Sequence, residues 1–484
     1  MKTFAINTIL CSLALNYANN TLAKNYYILV GGGDYPDNSQ ISIYYNTKWI
    51  YELLKKNNPE EHIYVLYTDG DKQINDVIKF SLKDEEQTVF DRLSRIESDP
   101  SGNITEYIPT FISTEEKSAN IENIKSAFLE ISKLTKKGDT ITFVYQGHGG
   151  LDENLFNNYL KLWKGDKFRV SDFKALISQI DDEVNFRFIL PQCFSGTFAQ
   201  TVFRDLDSRN GIEQKNQCGF LAQRKSLESE GCTPSINSSE YQDYSFHFFS
   251  AIDGYRIDGT PVESSADRNS NGVISLEEAH IYTVKNAMSI DYSFTTSEHY
   301  LANWLPWYLK WMPIPEGDGK YLEISQYIAS RFRLLDESNS IDYKKAKNML
   351  FYSKEELDEL NAQISRLKST IISAQTILKK DIYTQWPEAR LFYSEQAFNL
   401  IMQKQDEISS FIDSHPRYKD LETFQNSMVS LENSALDLQR KIVQINKIFY
   451  FKKLAGIRKI FDKYATDTQL EEYRNLLNCE SSVL

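Results

Sequence analysis

The stretch DTITFVYQGHGG, residues 139–150, decides how this chain is read. Its first eight residues are β-branched and aromatic and nearly continuous in apolar side chains, as expected of a strand covered on both faces. The run passes without a break into Gly-His-Gly-Gly. NFRFIL at 185–190 does the same and leads into PQCFSG, so Cys193 stands at the end of one strand as His148 stands at the end of another. Consecutive parallel strands are often neighbours, and if these two are, imidazole and thiol emerge on the same sheet edge.

Outward from this pair, NYYILV (25–30), HIYVLY (62–67) and YSFHFFSAI (244–252) read as further strands, with candidate helices near 39–57, 119–136 and 171–180. The alternation predicts an α/β fold with a mainly parallel sheet flanked by helices, whose sites lie at the carboxyl ends of strands. His247 falls inside one of those runs and is expected to be packed there.

Glycine divides the 484 residues: of 20, only Gly456 follows residue 320, and ten of twelve prolines precede it. The remainder suits long helices. Leu357, Leu360, Ile364, Leu367, Ile371, Ala374 and Leu378 step by three and four, as do Phe424, Met428, Leu431, Ala435, Leu438, Ile442 and Ile445. Ser353 and Glu356 read as a capping box before the first run. A helical stretch near 389–412 supplies a local partner, so an intramolecular bundle is favoured over self-association through these helices. PIPEGDG at 313–319 is the expected boundary between a domain of residues 24–318 and an all-α domain of 319–484.

The first 23 residues have one early lysine, a short apolar centre and a Thr-x-Ala ending, which predicts a secretory signal cleaved near Ala23 and an extracytoplasmic, secreted or periplasmic, mature chain with no membrane span. Cys11 would leave with it; Leu10 before it is too large for a lipidation site. A net charge of −13 without a basic stripe argues against a nucleic-acid partner. Four cysteines remain in the mature chain, compatible with one bridge plus free thiols.

A cysteine at the position of Cys193 can be a core residue, half of a disulfide, a metal ligand or a nucleophile. No second Cys or His lies at ligand spacing, which weakens the metal reading. A histidine beside a thiol can accept its proton and later protonate a leaving amine, and glycines around that histidine let backbone N–H groups reach a developing oxyanion. Gly149 and the Cys193 amide are the natural donors.

YQGHGG followed by LPQCFSG, with SIDYSFTTSEHYL later, resembles the caspase, metacaspase, legumain and gingipain clan of cysteine peptidases, nearest to secreted bacterial legumain-related proteins. The resemblance covers about residues 25–312 and implies a caspase-like sandwich. It makes Cys193 the nucleophile, His148 the catalytic histidine and Gly149 an oxyanion donor, with no cofactor for catalysis and a protein or peptide as substrate. Caspases carry Gln and legumains Glu two positions before the nucleophile, whereas this chain has Pro191 there and Gln192 next, so residue preference does not transfer. In the clan the strand after the nucleophile lines the substrate pocket, and YSFHFFSAIDGYRIDG is expected to be that strand, with Ser250 and Ala251 as walls and either Asp253 facing a basic or Arg256 facing an acidic substrate side chain; Gln192, beside the nucleophile, is expected to border the pocket as well. Related peptidases often carry a processed linker there, and Cys218 is expected to pair with Cys232 across it, with Arg224 and Lys225 as an exposed nick site. Transamidation through the same dyad and a catalytically dead, calcium-stabilised interaction protein are the competing functions.

DRNSNGVISLEE at 267–278 offers Asp267, Asn269, Asn271, the Val273 carbonyl, Ser275 and Glu278 at the spacing of an EF-hand-like calcium loop, with Gly272 at the sharp turn and Ile274 as its anchor. A structural Ca²⁺ of weak affinity is expected.

Overall fold

Strands β1 (Asn25–Gly32), β2 (His62–Tyr67), β5 (Thr140–Gly147), β9 (Asn185–Leu190), β10 (Gln217–Leu221) and β11 (Phe294–Thr295) form one sheet in the order β11-β10-β9-β5-β1-β2. All pairings are parallel except β10 with β11. This computed structural model describes residues 23–58, 62–70, 72, 74–80, 88–97, 105–235, 237, 241–309, 311, 313–392 and 394–484. The expected signal segment lies outside them except for Ala23. Two small sheets complete the strands: β3 (Val77–Phe80) with β4 (Thr105–Ile108), and β6 (Gly149–Gly150), β7 (Tyr159–Leu162) and β8 (Asp166–Arg169).

The helices are α1 (Ile41–Asn57), α2 (Val89–Glu97), α3 (Ile121–Leu134), α4 (Val170–Ile177), α5 (Tyr244–Asp253), α6 (Leu276–Asn286), α7 (Thr296–Trp304) and α8 (Gly319–Arg331). After them come α9 (Tyr343–Gln385), α10 (Glu395–Gln403), α11 (Gln405–Ser414), α12 (Pro416–Tyr464) and α13 (Asp467–Glu480). The chain is thus mixed α/β with a mainly parallel central sheet flanked by helices and a helical C-terminal region. None of the helices in the described residues is long and apolar enough to cross a membrane.

Side-chain alternation along β1 explains why the sheet is covered twice. Tyr26, Ile28 and Val30 enter one core with α3 and α4, whereas Tyr27 and Leu29 enter another with α1, α5 and α6. The first core does not stop at residue 318. It continues through Tyr321, Ile324 and Ile328 of α8, Ile445 to Phe461 of α12 and Tyr473 and Leu476 of α13. The expected boundary at 313–319 is a connection inside one core, because the C-terminal helices supply the apolar cover for that sheet face. Only the distal halves of α9 and α12, with α10 and α11, build a separate cluster, and it includes Leu93 and Ile96 of α2. The two heptad seams meet each other as an intramolecular pair.

Three local expectations are corrected. YSFHFFSAI is helix α5, not a strand: Asp243 caps it by accepting from Phe246 N, and Gly254 ends it at φ 76°. The run is apolar because the helix is buried almost all round, a case that periodicity alone does not separate from a covered strand. His247 is packed there as expected, but on a helix. The Ser353–Glu356 cap is not used, since α9 starts eleven residues earlier on Asp342, whose side chain accepts from Lys345 N. Finally, Cys218 is not paired with Cys232. It is bonded to Cys479, which joins buried strand β10 to α13 across 261 residues of sequence. Cys232 is a free thiol.

The same junction holds the C-terminus. The Glu480 carboxylate accepts from Thr296 Oγ1 at 2.9 Å and Ser297 N at 2.7 Å, and Arg187 Nη1 donates to Val483 O at 2.6 Å. Burial pushes the Glu480 carboxyl up to about 7.

Candidate active site

Strand β5 delivers His148 and its neighbour β9 delivers Cys193, with Val144 opposite Ile189 in the parallel ladder. Both side chains border one cavity of about 1510 Å³. The turn that carries the histidine is tightly specified. Tyr145 Oη lies 2.8 Å from His148 O and 2.6 Å from Lys161 O, and Lys161 N donates to His148 O at 2.8 Å. A Cβ on Gly149 would fall 1.9 Å from the Cys193 carbonyl oxygen, so only glycine lets these two backbones approach. Phe194, after Cys193, takes φ 59° and opens a 3₁₀ segment. That left-handed residue turns the chain sharply at the end of the strand.

Imidazole and thiol are each held by other groups. His148 Nε2 is 2.8 Å from Oε1 of Gln40, the residue that precedes α1. Burial and then the Lys161 charge lower the imidazole's proton affinity, against the opposing Asn38 backbone and Asp34. Burial raises the Cys193 thiol above its ordinary value; Glu228 and Asp291 push the same way, and the Ser229 N–H opposes them. Neutral thiol and neutral imidazole are therefore favoured in the free protein.

The segment after β10 runs across the thiol. Phe194 N donates to Leu227 O at 2.9 Å, and Ser229 N donates to Cys193 Sγ at 3.1 Å. Ser229 Oγ lies 2.8 Å from Asp291 Oδ1, which also accepts from Glu230 N at 2.9 Å. Arg440 of α12 grips the Glu230 carboxylate through Nε at 3.1 Å and through Nη2. Asp291 is fully buried and faces the equally buried Lys447 of α12, so burial pushes the carboxyl up and the ammonium down. Cys232 borders the cavity a little further along, and burial pushes its thiol far up.

The other expected pocket residues lie elsewhere. Gln192, next to Cys193, is 3% exposed, and neither of its amide atoms has a partner among the described residues. Ser250 and Ala251 are buried on α5, and Asp253 at its end pairs with Lys56 at 2.9 Å. None of these four borders the cavity. The expectation for Ser250, Ala251 and Asp253 rests on reading α5 as the strand after Cys193; that strand is β10, and the walls come from residues 228–235 and from α12. Gln40, Ser229, Asp291 and Arg440 were not foreseen. SIDYSF did single out the neighbourhood of Asp291, whereas Arg440 lies off the heptad positions and carries no motif.

In the 267–278 loop the side-chain oxygens turn back on the loop's own backbone. Asp267 Oδ2 accepts from Gly272 N at 2.8 Å, Asn269 Oδ1 from Asn271 N at 3.0 Å and Asn271 Oδ1 from Val273 N at 2.9 Å. Ser275 caps α6 in a capping box with Glu278, whose other oxygen accepts from Arg268 N at 2.9 Å. Gly272 has φ 81°. The donors gather on one loop, but only two are carboxylates. Among the described residues no group of three or more His, Cys, Asp or Glu is placed to hold a metal ion.

No family model matches the chain, and no curated protein matches it. Among solved structures, protein GSU0716 from Geobacter sulfurreducens is similar at 11% identity and a TM-score of 0.33, over 56% of this chain and 93% of that one.

Proposed function

We propose that the protein is a cysteine endopeptidase of caspase-like architecture that works through a Cys193–His148 dyad. The observation that carries this reading is the emergence of both side chains from adjacent parallel strands into one cavity large enough for a peptide. His148 takes the thiol proton as Sγ attacks the carbonyl carbon of the scissile bond. The oxyanion is met by backbone N–H groups, of which Gly149 and Cys193 supply the nearest. As the C–N bond breaks, the imidazolium gives its proton to the leaving amine and an acyl thioester remains. Water then attacks it, His148 takes the water's proton and returns it to sulfur, and the acid is released. A buried disulfide supports an oxidising, extracytoplasmic setting.

Incubating the full protein with a mixed peptide library and reading cleavage sites by mass spectrometry tests the proposal. Hydrolysis is expected to vanish in Cys193→Ala and to fall at least ~100-fold in His148→Ala. Cleavage that survives Cys193→Ala refutes it, and product joined to an added amine instead of water assigns transamidation.

We further propose that the 267–278 loop takes a weakly bound structural Ca²⁺ through Asp267, Asn269, Asn271, the Val273 carbonyl, Ser275 and Glu278. The turn at Gly272 and the spacing of the six oxygen donors along the loop support it. Millimolar Ca²⁺ is expected to raise the melting temperature of the wild type and leave Glu278→Gln unchanged. A melting temperature indifferent to calcium rejects the site.

A further inference from the structure

Gly456, the only glycine beyond residue 320, lies in the middle of a contact. A Cβ there would fall 2.3 Å from Ile314 Cγ2 and 2.4 Å from Pro315 O, and one on Gly317 would fall 2.2 Å from the Ala455 carbonyl carbon. Two missing side chains thus let residues 314–317 lie directly on α12. The other end of the segment is fixed by Trp304, whose ring meets Phe461 edge-on at 4.8 Å and whose Nε1 donates to Gln469 Oε1 at 3.0 Å. Between these anchors Leu309 is buried, whereas Trp307, Tyr308 and Trp311 are 75%, 56% and 87% exposed. Large rings left in water on an anchored loop cost free energy and give the core nothing in return.

We propose that this loop docks the protein on the surface of a lipid bilayer, with Trp307, Tyr308 and Trp311 at the boundary between headgroups and acyl chains. Indole and phenol rings are apolar bodies with one polar atom, which suits that boundary. At such exposures the rings line no groove; they fit a surface that yields around them, where a folded partner would need a pocket for each. Positions 452, 456, 459 and 463 of α12 share one helix face, so Lys452, Lys459 and Lys463 flank the seat at Gly456 and offer cations to anionic headgroups. Lys459 Nζ donates to Glu316 O at 3.2 Å, which brings it to the loop itself. Asp318 Oδ2 stands 3.9 Å from the same ammonium in an exposed pair that water screens. The inference is independent of the peptidase reading. The seat lies about 24 Å along α12 from Arg440, at 1.5 Å per residue, so docking and the cleft use different stretches of one helix.

The test uses the chain without its first 23 residues, whose apolar centre would itself bind lipid. It is mixed with vesicles of phosphatidylcholine alone or of phosphatidylcholine with phosphatidylglycerol, and co-sedimentation and tryptophan emission are read. Binding to both is expected, with emission shifted to the blue, and about tenfold stronger to the anionic vesicles at low ionic strength; added salt should narrow that difference. Trp307→Ser with Trp311→Ser should abolish binding to phosphatidylcholine. Both indoles lie at the surface, so the melting temperature and circular dichroism of this variant are expected to match the wild type. No binding to either vesicle, or binding that survives the loss of both indoles, overturns the proposal. So does a concentration-dependent wild-type dimer that the double variant loses while no vesicle is bound, which assigns the rings to a second copy of the chain.

Discussion

Gly149 shows how much of the site depends on a missing side chain. Its Cβ position is filled by the carbonyl of Cys193, so Gly149→Ala must part the two segments. On the proposed dyad, activity is expected to fall at least ~100-fold while far-ultraviolet circular dichroism stays unchanged, because the misfit is confined to the two-residue strand β6 and the turn after β9. Cys193 offers a second prediction. Its thiol is pushed above the ordinary value by burial, so in the free protein its alkylation by iodoacetamide should keep rising with pH beyond that value, without an acidic plateau. A reaction already at its maximum near pH 6 would reveal a preformed ion pair. Cys232, more deeply desolvated, should react more slowly throughout. At this scale the placement of His148 and Cys193 at the ends of neighbouring strands was legible, because two covered strands ending in Gly-His-Gly and Pro-Gln-Cys leave few ways to place those side chains. Ser229 and Asp291 were not, since their roles come from contacts 36 and 62 residues apart in sequence.

Elements divide in the same way. Runs covered on both faces, such as β1, β5 and β9, could be read directly. Helix α5 could not, because a short helix buried on every side has no polar face to betray its period. The partner of Cys218 was equally hidden: α13 follows two helices of 43 and 49 residues, and nothing local says that it returns to β10. That return carries a prediction. Cys479→Ser is expected to cost on the order of 2–5 kcal/mol, measured by denaturant unfolding, since the bridge restricts a very long loop in the unfolded chain. Glu480 beside it should make stability depend on pH. Its carboxyl is raised when folded, so the native state holds a proton that the unfolded chain gives up. The stabilisation is full below the usual carboxylate range and is lost as pH rises through about 7. Glu480→Gln should flatten the fall between pH 5 and 8, despite the opposing charge of Lys320 nearby.

The molecule as a whole is less divisible than its composition suggests. Glycine content separates residues before and after 320 because turns and long helices have different backbone needs, yet burial ignores that line. A chain ended near residue 318 would bare the sheet face that α8, α12 and α13 cover. It is expected to bind hydrophobic dyes and to unfold without a cooperative transition, whereas an independently folded N-terminal region would melt sharply. The cleft too belongs to both parts, since α12 forms one of its walls.

The bond between Cys218 and Cys479 also closes a covalent ring. Inside it lie the segment that crosses the nucleophile, the cleft wall and both long helices. Any single backbone cut within that ring, including one at the exposed Arg224–Lys225 pair, yields two polypeptides that cannot part. On a denaturing gel such a cut would be invisible until thiols are added, when one band would become two. A single cut between those cysteines therefore changes connectivity with no loss of mass, the product being heavier by one water, and the helical region travels with the cleft for as long as the bridge survives.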